Sequence, residues 1–293
     1  MILQYSDFQN WLNEKLFEES YSDLMKKIAD NPDRFIGLFR PTKPKTKLIQ
    51  NITQSHEIRF GDALEYIFER YFEAEGFSLQ TKRFYDTNQN ELSIDQLFEK
   101  DGILYMIEQK VRDDHDSTKK RGQFENFENK YYALTQRYTQ YTIVPIMWFI
   151  DDSLVKNKKY YQEQMERMES DYQCDCYLFY GQKMFKTHGG IPAFRTEIWE
   201  ETLDYLEQWK QTLPDMPEIN FDLNAEDVFE EIKDMSPSIY RKLLNNYDVI
   251  NQIFPILFPN NEVLKKLRNY FCSKVQPIFQ TLTSNIDKII KSN

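Results

Sequence analysis

Glycine is scarce: only eight occur among 293 residues, at positions 37, 61, 76, 102, 122, 181, 189 and 190. That placement excludes both a G-x-G-x-x-G dinucleotide fingerprint and a G-x-x-x-x-G-K-[ST] phosphate loop. Cysteine and histidine are equally thin, three of each, with His56, His115 and His188 far apart. Neither a disulfide framework nor a zinc spacing can be written from them, and the three cysteines, two of them in Cys174-Asp175-Cys176, read as buried thiols. No apolar run approaches bilayer length, and Met1 to Tyr21 is too acidic and too interrupted for a secretory signal, so the expected location is the cytoplasm, with no membrane partner.

Taken as a sum, the net charge of −10 argues against nucleic acid, since phosphate binding needs Lys and Arg. Its distribution changes that conclusion. From Glu197 to Asp234 thirteen carboxylates stand against Lys210 and Lys233, a local balance of −11 that leaves the rest of the chain at +1. Asp33 to Leu48 carries Arg34, Arg40, Lys43, Lys45 and Lys47 against one Asp, and Met235 to Asn293 holds eight basic residues against three acidic ones.

Helical spacing of Phe8, Trp11, Leu12 and Leu16 predicts that the opening forty residues are helical. Pro41 to Lys47 reads as a linker or basic arm, and Asp62 to Glu75 as an amphipathic helix ending at Gly76. Strands are expected at Phe77–Tyr85, Leu92–Glu99 and Ile103–Val111, a helix at Gly122–Tyr138, a buried strand at Thr142–Ile150, a polar helix at Ser153–Ser170 and a strand at Cys176–Tyr180. The order describes a mixed α/β layer. Prolines 237, 255, 259 and 277 punctuate a helical C-terminal region. The expected division is an N-terminal helical segment with a basic arm (1–50), a core (51–213) and a helical region (214–293).

Asp101-Gly102 between two strand-like runs predicts a two-residue hairpin, because a type I′ turn needs positive φ at both central positions. Centred there, the register sets Leu97 against Met106 and Phe98 against Tyr105, and extends to Asp95 against Glu108 with Lys110 opposing Ser93. Two carboxylates would then stand roughly 5 Å apart between backbones. At an effective dielectric near 20 they repel by about 3 kcal/mol. A hard divalent cation with oxygen ligands compensates such a pair, and a lysine beside it can orient water and offset charge on a phosphate.

Asp95 followed by Glu108-Gln109-Lys110 on the next strand resembles the PD-(D/E)XK nuclease superfamily, and the order of elements from Asp62 to Tyr180 is similar to its αβββαβ core. Ile94 stands where the motif's name expects proline. The resemblance implies an α/β fold with a mixed sheet, a Mg²⁺-dependent endodeoxyribonuclease of the type II restriction kind, and cleavage that leaves 5′-phosphate ends. It gives Asp95 and Glu108 the role of metal ligands and Lys110 that of the residue acting on the attacking water. The helix opening Gly61-Asp62-Ala63-Leu64-Glu65 is similar to one before the core sheet of several restriction endonucleases, where a glutamate joins the metal shell; here that is Glu65. The resemblance further implies double-stranded DNA as partner, a homodimer and a cognate DNA methyltransferase encoded nearby.

Arg112, Lys119, Lys120 and Arg121 follow the E-x-K strand and open a helix, where side chains and backbone N–H groups can hold phosphates. Lys43 and Lys45 in the basic arm suit backbone or minor-groove contact. His115 in the same polar loop reads as a hydrogen-bonding residue more than a catalyst. Tyr131, Tyr132, Tyr138 and Tyr141 suit core packing better than base stacking. Two other readings compete: a repair or recombination nuclease on the same core, and a nucleic-acid-binding protein with a vestigial site.

Overall fold

A computed structural model of the protein describes residues 1–18, 20–86, 89–113, 116–185 and 194–292. They form two compact units, one of Met1–Asn13 with Phe60–Thr212, the other of Glu14–Arg59 with Leu213–Asn293. The helices in chain order begin with α1 (Tyr5–Phe17), α2 (Ser20–Asp30), α3 (Asp33–Ile36) and α4 (Pro44–Ala74). No helix among the described residues is long and apolar enough to cross a membrane.

The first unit is built on the mixed sheet that the sequence predicts. Strands β1 (Ser78–Leu79), β4 (Gln96–Lys100), β5 (Ile103–Lys110), β6 (Thr142–Phe149) and β7 (Tyr177–Tyr180) lie in the order β1-β4-β5-β6-β7, while β2 (Arg83–Tyr85) and β3 (Glu91–Ser93) form a separate two-stranded ribbon. β1, β4 and β5 run antiparallel, and β5, β6 and β7 run parallel. Helices α5 (Ser117–Arg137), α6 (Lys158–Tyr172) and α7 (Thr196–Lys210) complete the unit.

Alternation decides which side chains of β5 meet which layer. Leu104 and Met106 join Phe124, Phe127 and Leu134 of α5 and Tyr161 and Met165 of α6 in one core. Tyr105 points to the other face, where Phe77, Phe98 and Phe72 interlock edge to face. β6 is buried from Ile143 to Phe149, as a central strand covered on both faces must be. Glu108 and Lys110 continue the Leu104 and Met106 series, so they emerge on the α5 side.

The β4–β5 hairpin turns at Asp101 and Gly102 with φ of 53° and 80°. Its ladder pairs Leu97 with Met106 and Phe98 with Tyr105, as expected, but ends at Gln96 with Ile107. Asp95 stays outside it, and Ser93 pairs with Arg83 rather than with Lys110. The cause lies on the other side of the strand. Between the pairs Leu79 with Phe98 and Arg83 with Ser93, one chain advances four residues and the other five. That one-residue excess is a β-bulge around Asp95, and it bends the predicted long strands 77–85 and 92–99 into two pieces each.

In the second unit α2, α3 and the first half of α4 share one core with α8 (Ala225–Ile232), α9 (Pro237–Leu244), α10 (Tyr247–Gln252), α11 (Phe254–Leu257), α12 (Glu262–Cys272) and α13 (Pro277–Ser292). Leu24, Ile28, Phe35 and Leu48 pack with Val228, Tyr240, Leu264 and Phe271. Glu231 accepts from the Ser22 N–H at 2.7 Å, and Lys242 pairs with Asp30 at 2.6 Å. The segment expected to stand alone at 1–50 is therefore divided, and residues 14–59 pack with the C-terminal helices. Pro44 opens α4 instead of interrupting it, since proline fits a first helical turn, so Lys45 and Lys47 are helical rather than part of a linker. Of the three thiols Cys176 is buried, Cys174 half-buried and Cys272 exposed, where all were expected inside.

Candidate active site

The bulge aims Asp95 across the end of β5. Its Oδ2 accepts from the Gln109 N–H at 2.9 Å, in the place where a ladder partner would have been, and from Lys110 Nζ at 2.6 Å. Lys110 Nζ also donates to Glu108 Oε1 at 3.0 Å. One ammonium therefore bridges the two carboxylates that the sequence singled out, although not by direct cross-strand pairing.

A second lysine stands behind the first. Lys130, on the sheet-facing side of α5, donates to Glu108 Oε1 at 3.0 Å and Oε2 at 2.7 Å. Both side chains are only 5% exposed. Sequence reasoning missed it, although a signal existed: Lys130 interrupts the stripe Phe127, Tyr131, Leu134, and a lysine in a buried stripe needs a buried anion. Lys82 was missed as well; its Nζ donates to Glu69 Oε1 at 2.5 Å and to the Asp95 carbonyl at 2.9 Å.

Burial first, and Glu108 second, push the Asp95 carboxyl above its ordinary range, against the pull of Lys110. Burial alone would lower Lys110, but Glu108 and Asp95 outweigh it and the net shift is upward. Lys110 is thus held as an ammonium. Glu65, on α4, is pushed up to about 8, by burial and then by Asp95, with Lys110 and Lys82 opposing. Its carbonyl accepts from Gln96 Nε2 at 3.3 Å, and Gln96 Nε2 donates to Gln109 Oε1 at 2.6 Å behind the carboxylates.

Oxygen donors of this kind suit a hard cation. Asp95 and Glu108 converge on the Lys110 ammonium, and burial first, then the Asp95 charge, favours the protonated form of the neighbouring Glu65 carboxyl. Among the described residues no group of three or more His, Cys, Asp or Glu side chains is placed to hold a metal ion. Asp95 and Glu108 could hold such a cation as a pair, which would leave positions for water and a phosphate oxygen.

Beyond Lys110 the chain is fastened by Asp113, fully buried. It accepts from the Asn157 N–H and Nδ2 at 2.8 Å each and from the Tyr180 hydroxyl at 2.9 Å. Arg112, Lys119 and Arg121 are exposed, and Lys120 lies over the Tyr160 ring at 4.6 Å. The first N–H groups of α5 do not stand open for a phosphate, because Asp116 accepts from Thr118 and Lys119 at 3.0 and 2.9 Å. Lys43 and Lys45 are exposed in the other unit. Tyr131 is buried, Tyr138 and Tyr141 pack on the same core, and Tyr132 is exposed. His115 lies outside the described residues.

A bent hairpin that delivers an acid beside an E-x-K strand, in an αβββαβ layer, defines a nuclease of the PD-(D/E)XK class. The sequence model of the family described as type II restriction endonuclease, HinfI, matches residues 4–88 and 77–210, and the chain belongs to that family of endodeoxyribonucleases. No curated protein and no solved structure matches it.

Proposed function

We propose that the protein cuts double-stranded DNA at a defined sequence by Mg²⁺-dependent hydrolysis, leaving 5′-phosphate and 3′-hydroxyl ends. The observation that carries this reading is the bridge from Lys110 to Asp95 and Glu108. In this reading Asp95 and Glu108 hold the cation, with Glu65 as a protonated neighbour at the edge of its shell. The bound cation would supply Lewis-acid polarisation of the phosphate and of its water. Lys110, already an ammonium, would turn from the carboxylates to the attacking water or a phosphate oxygen, orienting it and offsetting developing charge. Lys130 keeps Glu108 in place while Lys110 is engaged elsewhere.

Arg112, Lys119, Lys120 and Arg121 would contact phosphates through their side chains, as would Lys43 and Lys45. Cutting both strands symmetrically requires two such sites, which supports a homodimer. A cytoplasmic location and a cognate methyltransferase encoded nearby follow from the same reading. The test is digestion of a sequenced plasmid with purified protein and Mg²⁺, followed by run-off sequencing of the ends. Breaks at one fixed sequence support the proposal. Plasmid left uncut over a range of salt, or cut equally by Lys110→Ala, refutes it; breaks confined to junctions or lesions favour a repair role.

A further inference from the structure

The four residues Gly37-Leu38-Phe39-Arg40 form a turn in the second unit, closed by the Arg40 N–H donating to the Gly37 carbonyl at 3.1 Å. Gly37 packs so closely on α3 that a Cβ there would stand 2.5 Å from the Asp33 carbonyl oxygen. Arg40 Nε donates to that same oxygen at 3.5 Å, and Phe35 beneath is fully buried. The turn is therefore anchored. At its two central positions Leu38 is 91% and Phe39 is 97% exposed.

Two adjacent large apolar side chains held out on an anchored turn call for a partner. Charge decides which. From Asp33 to His56 the sequence holds Arg34, Arg40, Lys43, Lys45 and Lys47 against the single carboxylate of Asp33. A second copy docking on this patch would set like charges against each other, whereas a polyanion meets five cations against one carboxylate. The polyanion with an apolar interior that a side chain can enter is duplex DNA.

We propose that Leu38 and Phe39 are a wedge that enters double-stranded DNA and unstacks a base step, with the flanking cations on the phosphates. The proposal rests on the endonuclease reading and adds to it a contact with the base stack, where Lys43 and Lys45 alone give only backbone contact. Specificity follows from deformability, because a wedge favours steps that unstack easily.

The test uses the full-length Asp95→Asn protein and duplexes carrying the sequence that the wild type cuts, with 2-aminopurine placed at each step in turn. Fluorescence should rise on binding at one or two steps. Phe39→Ala and Leu38→Ala should remove the rise and weaken binding about tenfold, with the salt dependence unchanged. Phe39→Trp should restore both. Lys43→Ala should lower the salt slope by about one and keep the fluorescence rise. Phe39 is exposed, so these variants fold. No rise at any step, equal binding by Phe39→Ala, or a change of sedimentation coefficient in Phe39→Ala with fluorescence unaltered overturns the wedge. A wild type that cuts while Phe39→Ala cuts and binds equally refutes the wedge alone; a wild type that neither cuts nor binds duplex overturns the endonuclease reading as well.

Discussion

Lys130 holds both oxygens of Glu108, at 3.0 and 2.7 Å, from a helix that begins after the acid's own strand has ended. With Lys110 it brings two lysine side chains onto the two carboxylates at the end of β5. Breaking a buried ion pair by removing one partner costs about 3–5 kcal/mol, because the remaining charge is stranded. Lys130→Met should lower unfolding free energy in urea by that amount. Lys130→Met with Glu108→Gln should recover much of the loss, and a double-mutant cycle measures the coupling.

Asp95→Asn, Glu108→Gln and Lys110→Met should each slow single-turnover plasmid cleavage by about 10² to 10³ or more, the scale of losing one stabilising group in a transition state. Circular dichroism should be unchanged. Full-rate cleavage by any of the three would remove that residue from the centre.

Glu65 gives the metal-free protein a pH dependence. Its ordinary value of 4.5 rises to about 8 in the fold, so between these the folded state binds more protons than the unfolded chain. Its contribution to stability is complete below pH 4.5 and is lost as pH rises through 8. Thermal unfolding in EDTA should show Tm falling across that window. Glu65→Gln should flatten the curve, and an unaltered slope would contradict the assignment.

Asp113 anchors the chain that leaves the E-x-K strand. Asp113→Ala strands three donors, the Asn157 N–H and Nδ2 and the Tyr180 hydroxyl. At about 1–3 kcal/mol for each buried unsatisfied group, the loss should be about 3 kcal/mol or more. Tyr180→Phe leaves the other two bonds intact and should cost about 1 kcal/mol, so urea unfolding of both variants separates network from packing.

Much of this was legible in the sequence, for physical reasons. Asp101-Gly102 fixed the hairpin because few residues accept two consecutive positive φ angles, and apolar pairing across it set the register through Gln96 and Ile107. The register stopped short of the acids: Asp95 lies outside the ladder, and Lys110 rather than strand pairing joins it to Glu108, at 2.6 and 3.0 Å. What stayed hidden was long-range or local to one backbone step. An alternating pattern does not reveal where a strand changes partner, so the bulge at Asp95 was invisible. Lys130 meets Glu108 only through tertiary packing of α5. Residues 14–59 join 213–293 through contacts across most of the chain, which no local composition records.

The bulge gives the chain something like a reading frame. Removing Ile94 would restore an even ladder while turning every side chain on one side of the cut to the opposite face. Such a variant would still contain an aspartate, a glutamate and a lysine in the expected order, and its sheet would still pair, yet its carboxylates would no longer meet. Length in this stretch is therefore under tighter constraint than identity. Among relatives, a gap at this point is a better warning of lost activity than many substitutions around it.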